Sequence, residues 1–140
     1  MPVTATWLAI ARVQLLAHRL KQARLRAGLS QEKLGKLAGI DPMSASARMN
    51  QYERGKHAPD YQLMCRVAEI LMMPVSWFYT EDDEQARLQE IFFQLRPADR
   101  KPLLTEAEAL IARNAPATGS MPDPTAPVAS PPAVKAAPAN

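Results

Sequence analysis

The chain has 140 residues, and its formal net charge of +3 hides an uneven distribution. Residues 1–66 carry 11 basic and 4 acidic side chains, residues 67–113 carry 5 basic and 9 acidic ones, and residues 114–140 are balanced, so the basic front half favours a polyanionic partner. The single cysteine excludes an internal disulfide. One cysteine and two histidines are too few to make a structural zinc site of Cys and His ligands plausible. No apolar run has the roughly 18–20 residues that a membrane span needs.

The sequence also argues against several classes of function. No Ser/His/Asp arrangement and no pair of carboxylates has catalytic spacing, so we expect neither an enzyme nor a cofactor. The N-terminus has no basic residue before its apolar part and no small-residue cleavage site after it, which argues against a signal peptide. We therefore expect a cytoplasmic protein without a membrane segment.

Helical periodicity begins at the N-terminus and predicts an all-α protein. Residues 1–14 form an extension that we expect to be helical, and the first helix of the main domain follows it without a break signal. Gly28 ends this helix in the manner of a C-terminal cap. Its inward stripe repeats at helical spacing and consists of Leu16, Leu20, Ala23 and Ala27.

Two short helices follow in residues 29–55. Ser30 is a good N-cap for the first of them, and Gly39 ends it with a backbone conformation that a β-carbon would disfavour. Ala38 is small enough to let the two helices cross closely. Asp41-Pro42 reads as an N-cap followed by proline at the first helical position, so the second helix is predicted at about residues 42–54, ending before Gly55.

The remaining pattern gives a fourth helix, a core-closing segment and a helical pair. Asp60 caps the fourth helix, whose inward face is Leu63, Met64, Val67, Ala68 and Leu71, and Trp77 and Phe78 are expected to close the core. Residues 81–113 predict a helical hairpin, with helices at 84–95 and 98–113. The first of these carries an apolar stripe, Leu88, Ile91, Phe92 and Leu95.

Residues 114–140 have the composition of a disordered tail. This stretch holds 7 of the 13 prolines and eight alanines, with no aromatic residue and only two charged ones. Such a segment cannot bury enough apolar surface to offset the entropy lost on ordering.

The pair of short helices is a helix-turn-helix, and its second helix carries side chains that suit a DNA groove. In the major groove, Arg pairs with guanine and Asn or Gln with adenine, while helix N-termini and basic residues hold phosphates. The basic residues of the first helix, Arg24 and Arg26 among them, are expected to help position the DNA backbone. The predicted DNA-binding residues are Gln31, Ser44, Ser46, Arg48, Asn50, Gln51, Arg54 and Lys56.

The segments RLKQARLRAGLSQEKLGKLAGI and QYERGKHAPD resemble phage-repressor-like regulators of the Cro/CI-like, xenobiotic-response-element family. The resemblance covers about residues 15–80. It implies a five-helix lambda-repressor-like domain with its third helix in the major groove of double-stranded DNA, and a phosphate contact by Gln31. The implied function is that of a sequence-specific, bacterial or phage-encoded transcriptional regulator, a repressor.

One departure from the family concerns the recognition segment. Eleven residues, Asp41 to Gln51, separate Ile40 from Tyr52, where the family usually has about seven. Four residues are about one helical turn, so either the recognition helix or the turn before it is longer. The Asp41-Pro42 signal favours the longer helix.

The hairpin at 81–113 leaves two interpretations open. Its apolar stripe either forms a homodimer interface, which suits proteins that read two half-sites, or packs on the domain's own core. An alternative function also uses this acidic half. In that reading the chain is a protein-interaction adaptor or an antitoxin-like partner-binding protein, and retention on DNA at low salt separates the two functions.

Overall fold

The computed structural model describes residues 3–116, with side chains from residue 6 onward, and within this range it contains helices and no strand. The all-α prediction is confirmed. The chain divides into two units, residues 1–102 and 103–140, and most of the tail predicted at 114–140 lies outside the described residues. The helices are α1 (Val3–Arg26), α2 (Gln31–Leu37), α3 (Ala45–Glu53), α4 (Tyr61–Ile70), a 3-10 helix (Val75–Tyr79), α5 (Asp83–Gln94) and α6 (Pro97–Asn114).

Helix α1 is one continuous helix that includes both the N-terminal extension and the first helix of the main domain. Its second half is buried through Leu16, Leu20 and Ala23, whereas Ala27 of the predicted stripe is exposed. The helix ends at Arg26, and Gly28 follows in the turn with a φ of 68°, in the left-handed region that glycine adopts without strain. The first half leaves Trp7, Leu8 and Ile10 exposed.

Helices α2 and α3 cross at very short range. Ser30 caps α2 as predicted, since its hydroxyl accepts the Lys33 N–H at 3.0 Å. At the crossing, a β-carbon on Gly35 would lie 3.0 Å from both the β-carbon and the carbonyl oxygen of Ala45. Ala38 is fully buried, but Gly35 is the residue that allows the close approach. The backbone carbonyl of Ala38 accepts a hydrogen bond from Nε of Arg66 at 2.8 Å.

The start predicted for the recognition helix is wrong. Helix α3 begins at Ala45 rather than at Pro42, and residues 41–44 lie in the turn before it. The Ser44 N–H donates to the Asp41 carbonyl at 3.0 Å. Aspartate at the first position and proline at the second are as typical of a β-turn as of a helix start, and here they form the turn.

The core of the first unit lies where α1, α2, α3, α4 and the 3-10 helix meet. Asp60 caps α4 by accepting the Leu63 N–H at 2.7 Å, as predicted. All five residues expected on the inner face of α4 are buried. Trp77 and Phe78 are buried with their rings edge to face, 5.2 Å apart, and so confirm the expected closure of the core.

Helix α5 places an unexpected face toward the core. Ala86 and Glu90 are its buried residues, while Leu88 is 53% exposed and Ile91 is 37% exposed. Phe92 and Leu95 of the same stripe are half-buried, so the protein's own core covers this stripe only in part. Helix α6 starts in the first unit and contains Pro102, which cannot donate a helical hydrogen bond. In the second unit, Leu104, Leu110 and Ile111 are exposed.

Candidate nucleic-acid interface

Helix α3 has one buried face and one polar face. Ala45, Met49 and Tyr52 are buried, and the i, i+3 spacing of Met49 and Tyr52 places both on one face of the helix. Ala45 packs against Gly35 and is therefore not part of the exposed polar face. The exposed side chains of the helix include the predicted residues Ser46, Arg48, Asn50 and Gln51.

Three other predicted residues lie just beyond the ends of α3: Ser44 before it, and Arg54 and Lys56 after it. Ser44 is half-buried, and its hydroxyl donates to the Asp41 carbonyl at 3.3 Å. At the other end, Arg54 and Lys56 are exposed. Gly55 lies between them with a φ of 68° and ends the helix as expected.

Arg48 is exposed but anchored within its own helix. Its Nη2 donates to the Tyr52 hydroxyl at 2.9 Å, and its guanidinium carbon lies 6.0 Å from the centre of the Tyr52 ring. The two residues are spaced i, i+4, which places their side chains on neighbouring turns of one face. The guanidinium is thus held by a residue whose ring is buried in the core.

Gln31, at the start of α2, is joined to α3 by its side-chain amide. Its Nε2 donates to Oε2 of Glu53 at 2.9 Å, and the Asn50 Oδ1 lies 3.5 Å away. Both donor hydrogens are therefore directed at oxygen atoms of α3, and the Gln31 carbonyl oxygen is left without such a partner among the described contacts. A phosphate contact by this side chain requires its amide to turn.

Glu53 is the centre of an ion pair that the sequence did not reveal. Its carboxylate accepts from Arg24 Nε at 2.5 Å and from Arg24 Nη2 at 3.0 Å, while Arg24 Nη1 donates to the Leu29 carbonyl at 2.7 Å. The side chains of Glu53 and Arg24 are 2% and 9% exposed. This bidentate pair links α1 to the end of α3, so Arg24 is not available to steer phosphate and that expectation is wrong.

Other basic residues of α1 are also engaged inside the protein. Arg19 is buried, where it donates to the Thr80 carbonyl at 2.9 Å and to Asp83 at 3.1 Å and lies over the Trp77 ring. Arg26 pairs with Glu90 at 3.4 Å. Two of the basic residues of the front half, Arg19 and Arg26, thus form ion pairs that hold α1 to α5. Lys21, Lys33, Arg54 and Lys56 are exposed and have no ion pair within residues 3–116.

Two other classes of site, for a metal ion and for a membrane, have no counterpart in the same range. In the part of the chain that the structure describes, no group of three or more His, Cys, Asp or Glu side chains is arranged to hold a metal ion. None of the described helices combines the length and the hydropathy required to cross a bilayer.

Comparison with known proteins identifies the family of the domain. Residues 15–76 match the family model of a helix-turn-helix domain. Among solved structures, the chain is similar to the crystal structure of the transcriptional regulator BswR, with a TM-score of 0.66 and 43% sequence identity over 71% of this chain and 98% of that one. No curated protein matches the chain. With this identity and coverage, the chain belongs to the helix-turn-helix family of transcriptional regulators.

Proposed function

We propose that the protein is a sequence-specific DNA-binding regulator of the Cro/CI-like type that reads the major groove with the exposed face of α3. It acts as a repressor in the cytoplasm of a bacterium, encoded by the bacterium or by a phage. The residues proposed to contact DNA are Gln31, Ser44, Ser46, Arg48, Asn50, Gln51, Arg54 and Lys56.

The observation that supports this proposal is that the exposed face of α3 carries no negative charge. Glu53 is the only acidic residue of the helix, and its carboxylate is buried and neutralised by Arg24. The exposed face is left with hydroxyl, amide and guanidinium groups, which are the groups that pair with base edges in the major groove. An acidic side chain on that face would be repelled by the phosphates.

The ends of the helix-turn-helix suit contacts with the DNA backbone. Arg54 and Lys56 follow α3, and Lys33 lies in the first turn of α2, so exposed positive charge flanks the reading face. Neutralising phosphates releases counterions, and the logarithm of the binding constant should fall by about 0.9 per contacted phosphate for each tenfold rise in salt concentration.

Selection of bound sequences from a random DNA pool tests the proposal. We expect a defined site, on which Arg48→Ala and Asn50→Ala each lose about 1–3 kcal/mol of binding free energy if they remove a good base contact. Arg96→Ala is the matched control, because Arg96 carries the same charge, is 82% exposed at its side chain and lies beyond α5. Wild-type binding by both α3 variants, or recovery of no preferred site, would contradict the proposal.

We further propose that the regulator is a homodimer and that α5 contributes to the interface. Leu88, Ile91 and Phe93 are exposed on this helix, although their apolar surface favours burial. A two-fold dimer places two recognition helices about one DNA turn apart, so the selected site should be palindromic. Sedimentation of the wild type and of Leu88→Glu tests the interface: a monomeric wild type at tens of micromolar overturns it.

A reporter gene placed behind the selected site tests the sign of regulation. Expression should rise when the protein is removed and should fall again when the wild type is supplied. The Arg48→Ala variant should fail to restore repression. Co-purification with a second protein, together with no retention on DNA at low salt, would support the adaptor function in place of this one.

A further inference from the structure

We propose that Tyr52 is a positioning residue for base recognition, in that its hydroxyl sets the guanidinium of Arg48 in the orientation that reads a guanine. The inference deepens the proposed DNA-binding function and rests on it. Tyr52 itself is 8% exposed and need not touch DNA. Its role is to fix the direction of a side chain that does.

The geometry of the pair restrains Arg48 through one hydrogen bond. The bond from Nη2 to the Tyr52 hydroxyl, at 2.9 Å, fixes one edge of the guanidinium, whose carbon lies 6.0 Å from the centre of the ring. The Tyr52 ring belongs to the buried core cluster together with Met49. The anchor is therefore rigid, unlike a partner on another exposed side chain.

The restraint leaves the reading capacity of Arg48 intact. A guanidinium has five N–H donors, and the bond to Tyr52 uses one of them. The second hydrogen of Nη2 and the N–H of a neighbouring nitrogen still form a parallel fork. Guanine presents two acceptors, O6 and N7, at the matching spacing in the major groove.

A restrained arginine has an advantage over a free one in recognition. A long side chain loses conformational entropy when it is fixed on binding, and this loss is smaller when the free protein already holds it near the bound orientation. A fixed direction also discriminates between bases, because a flexible guanidinium would find acceptors on other bases or on phosphates. The Tyr52 hydroxyl should therefore affect specificity more than general affinity for DNA.

Tyr52→Phe isolates this effect, because it removes the hydroxyl and keeps the buried ring. Binding is measured for the wild type, Tyr52→Phe, Arg48→Ala, Arg48→Lys and the Tyr52→Phe/Arg48→Ala double variant. Each is titrated with the selected site, with every single-base variant of that site, and with unrelated duplex DNA at the same salt concentration. Thermal unfolding of each variant is recorded in parallel.

The expected result is a loss of discrimination confined to one base pair. Arg48→Ala should abolish the preference for guanine there, and Tyr52→Phe should reduce that preference about 3- to 10-fold while leaving binding to unrelated DNA unchanged. Tyr52→Phe should have no further effect in the Arg48→Ala background. Arg48→Lys, which keeps the charge but not the fork, should lose the same preference.

Three results would overturn the inference. The first is a Tyr52→Phe variant with an unchanged base profile, and the second is one that weakens binding to all sequences equally, as a phosphate contact or a purely structural role would. The third is the same Tyr52→Phe effect in the Arg48→Ala background. If the wild type selects no site at all, the proposed function fails and this inference fails with it, whereas a selected site with an unchanged Tyr52→Phe profile removes only this inference.

Discussion

Helices α4 and α5 both carry an apolar stripe with helical spacing, but only the stripe of α4 is buried. The five inward residues of α4 are nearly inaccessible, whereas Leu88 and Ile91 of α5 are exposed and Glu90 of α5 faces the core instead. The difference shows that apolar periodicity identifies a face without saying what covers it. The stripe of α4 is covered by the core of residues 15–80, whereas the stripe of α5 leaves Leu88 and Ile91 exposed.

Two buried carboxylates, one in each region, give the largest expected contrast. Glu53→Ala should destabilise the fold by about 3–5 kcal/mol, because it leaves Arg24 charged and buried without its partner. Glu90→Ala is the matched variant and should cost about 1 kcal/mol or less, since its partners Arg26 and Arg87 lie 3.4 Å away and are exposed enough to be solvated. Urea unfolding measures both, and equal losses would contradict the assigned difference.

Truncation of one leucine in α4 and one in α5 directly tests the difference in burial between the two apolar stripes. Leu63→Ala on α4 should lower the free energy of unfolding by about 2–5 kcal/mol through the lost contacts and the cavity left behind. Leu88→Ala on α5 should change it by no more than about 0.5 kcal/mol in dilute protein. If the loss at Leu88 is large and depends on protein concentration, the stripe is covered by a second copy.

Close packing inside the helix-turn-helix region can be tested at Gly35. Gly35→Ala should destabilise the protein by about 1–3 kcal/mol, because the new β-carbon meets the backbone of Ala45 and α3 must shift. Ala47→Gly changes an exposed position of α3 by the same methyl group without a packing clash, and it reports the cost of helix propensity alone. A Gly35→Ala variant as stable as the wild type would mean that the crossing is looser than described.

The smallest expected effect concerns an exposed ion pair of α2. The hydrogen bond and charge of Lys36 lower the pKa of Glu32 below its usual value. The small stabilisation from this pair is therefore present above the ordinary carboxyl pKa and is lost as the pH falls through the lowered one. NMR titration of Glu32 should show its pKa returning upward in Lys36→Ala, and an unchanged titration would remove the assigned interaction.

Much of the fold follows from local signals in the sequence. Ser30, Asp60 and the glycines at 28, 39 and 55 mark helix ends because capping and positive φ are local requirements. Asp41-Pro42 was ambiguous, since the same dipeptide begins a helix or a β-turn and the choice depends on the packing of Ala45 against Gly35.

The candidate site was harder to predict than the fold, because the sequence does not show which residue a charged side chain will contact. Arg24 and Arg54 look alike in sequence, yet Arg24 is buried against Glu53, 29 residues away, and Arg54 is exposed. The anchoring of Arg48 by Tyr52 has a local signal, the i, i+4 spacing, but this spacing does not show that the hydroxyl accepts a hydrogen bond from the guanidinium. Long-range contacts such as that between Arg24 and Glu53 become visible only in the folded chain.

The central claim is that α3 reads base edges in the major groove, and base substitution in the selected site tests it most directly. Replacing guanine with 7-deazaguanine removes the N7 acceptor in the major groove, while inosine removes only the amino group in the minor groove. We predict that 7-deazaguanine at the guanine read by Arg48 weakens wild-type binding about 10-fold. It should leave Arg48→Ala binding unchanged, and inosine should have little effect on either protein. The account would be contradicted if inosine weakened binding and 7-deazaguanine did not, or if neither substitution weakened binding.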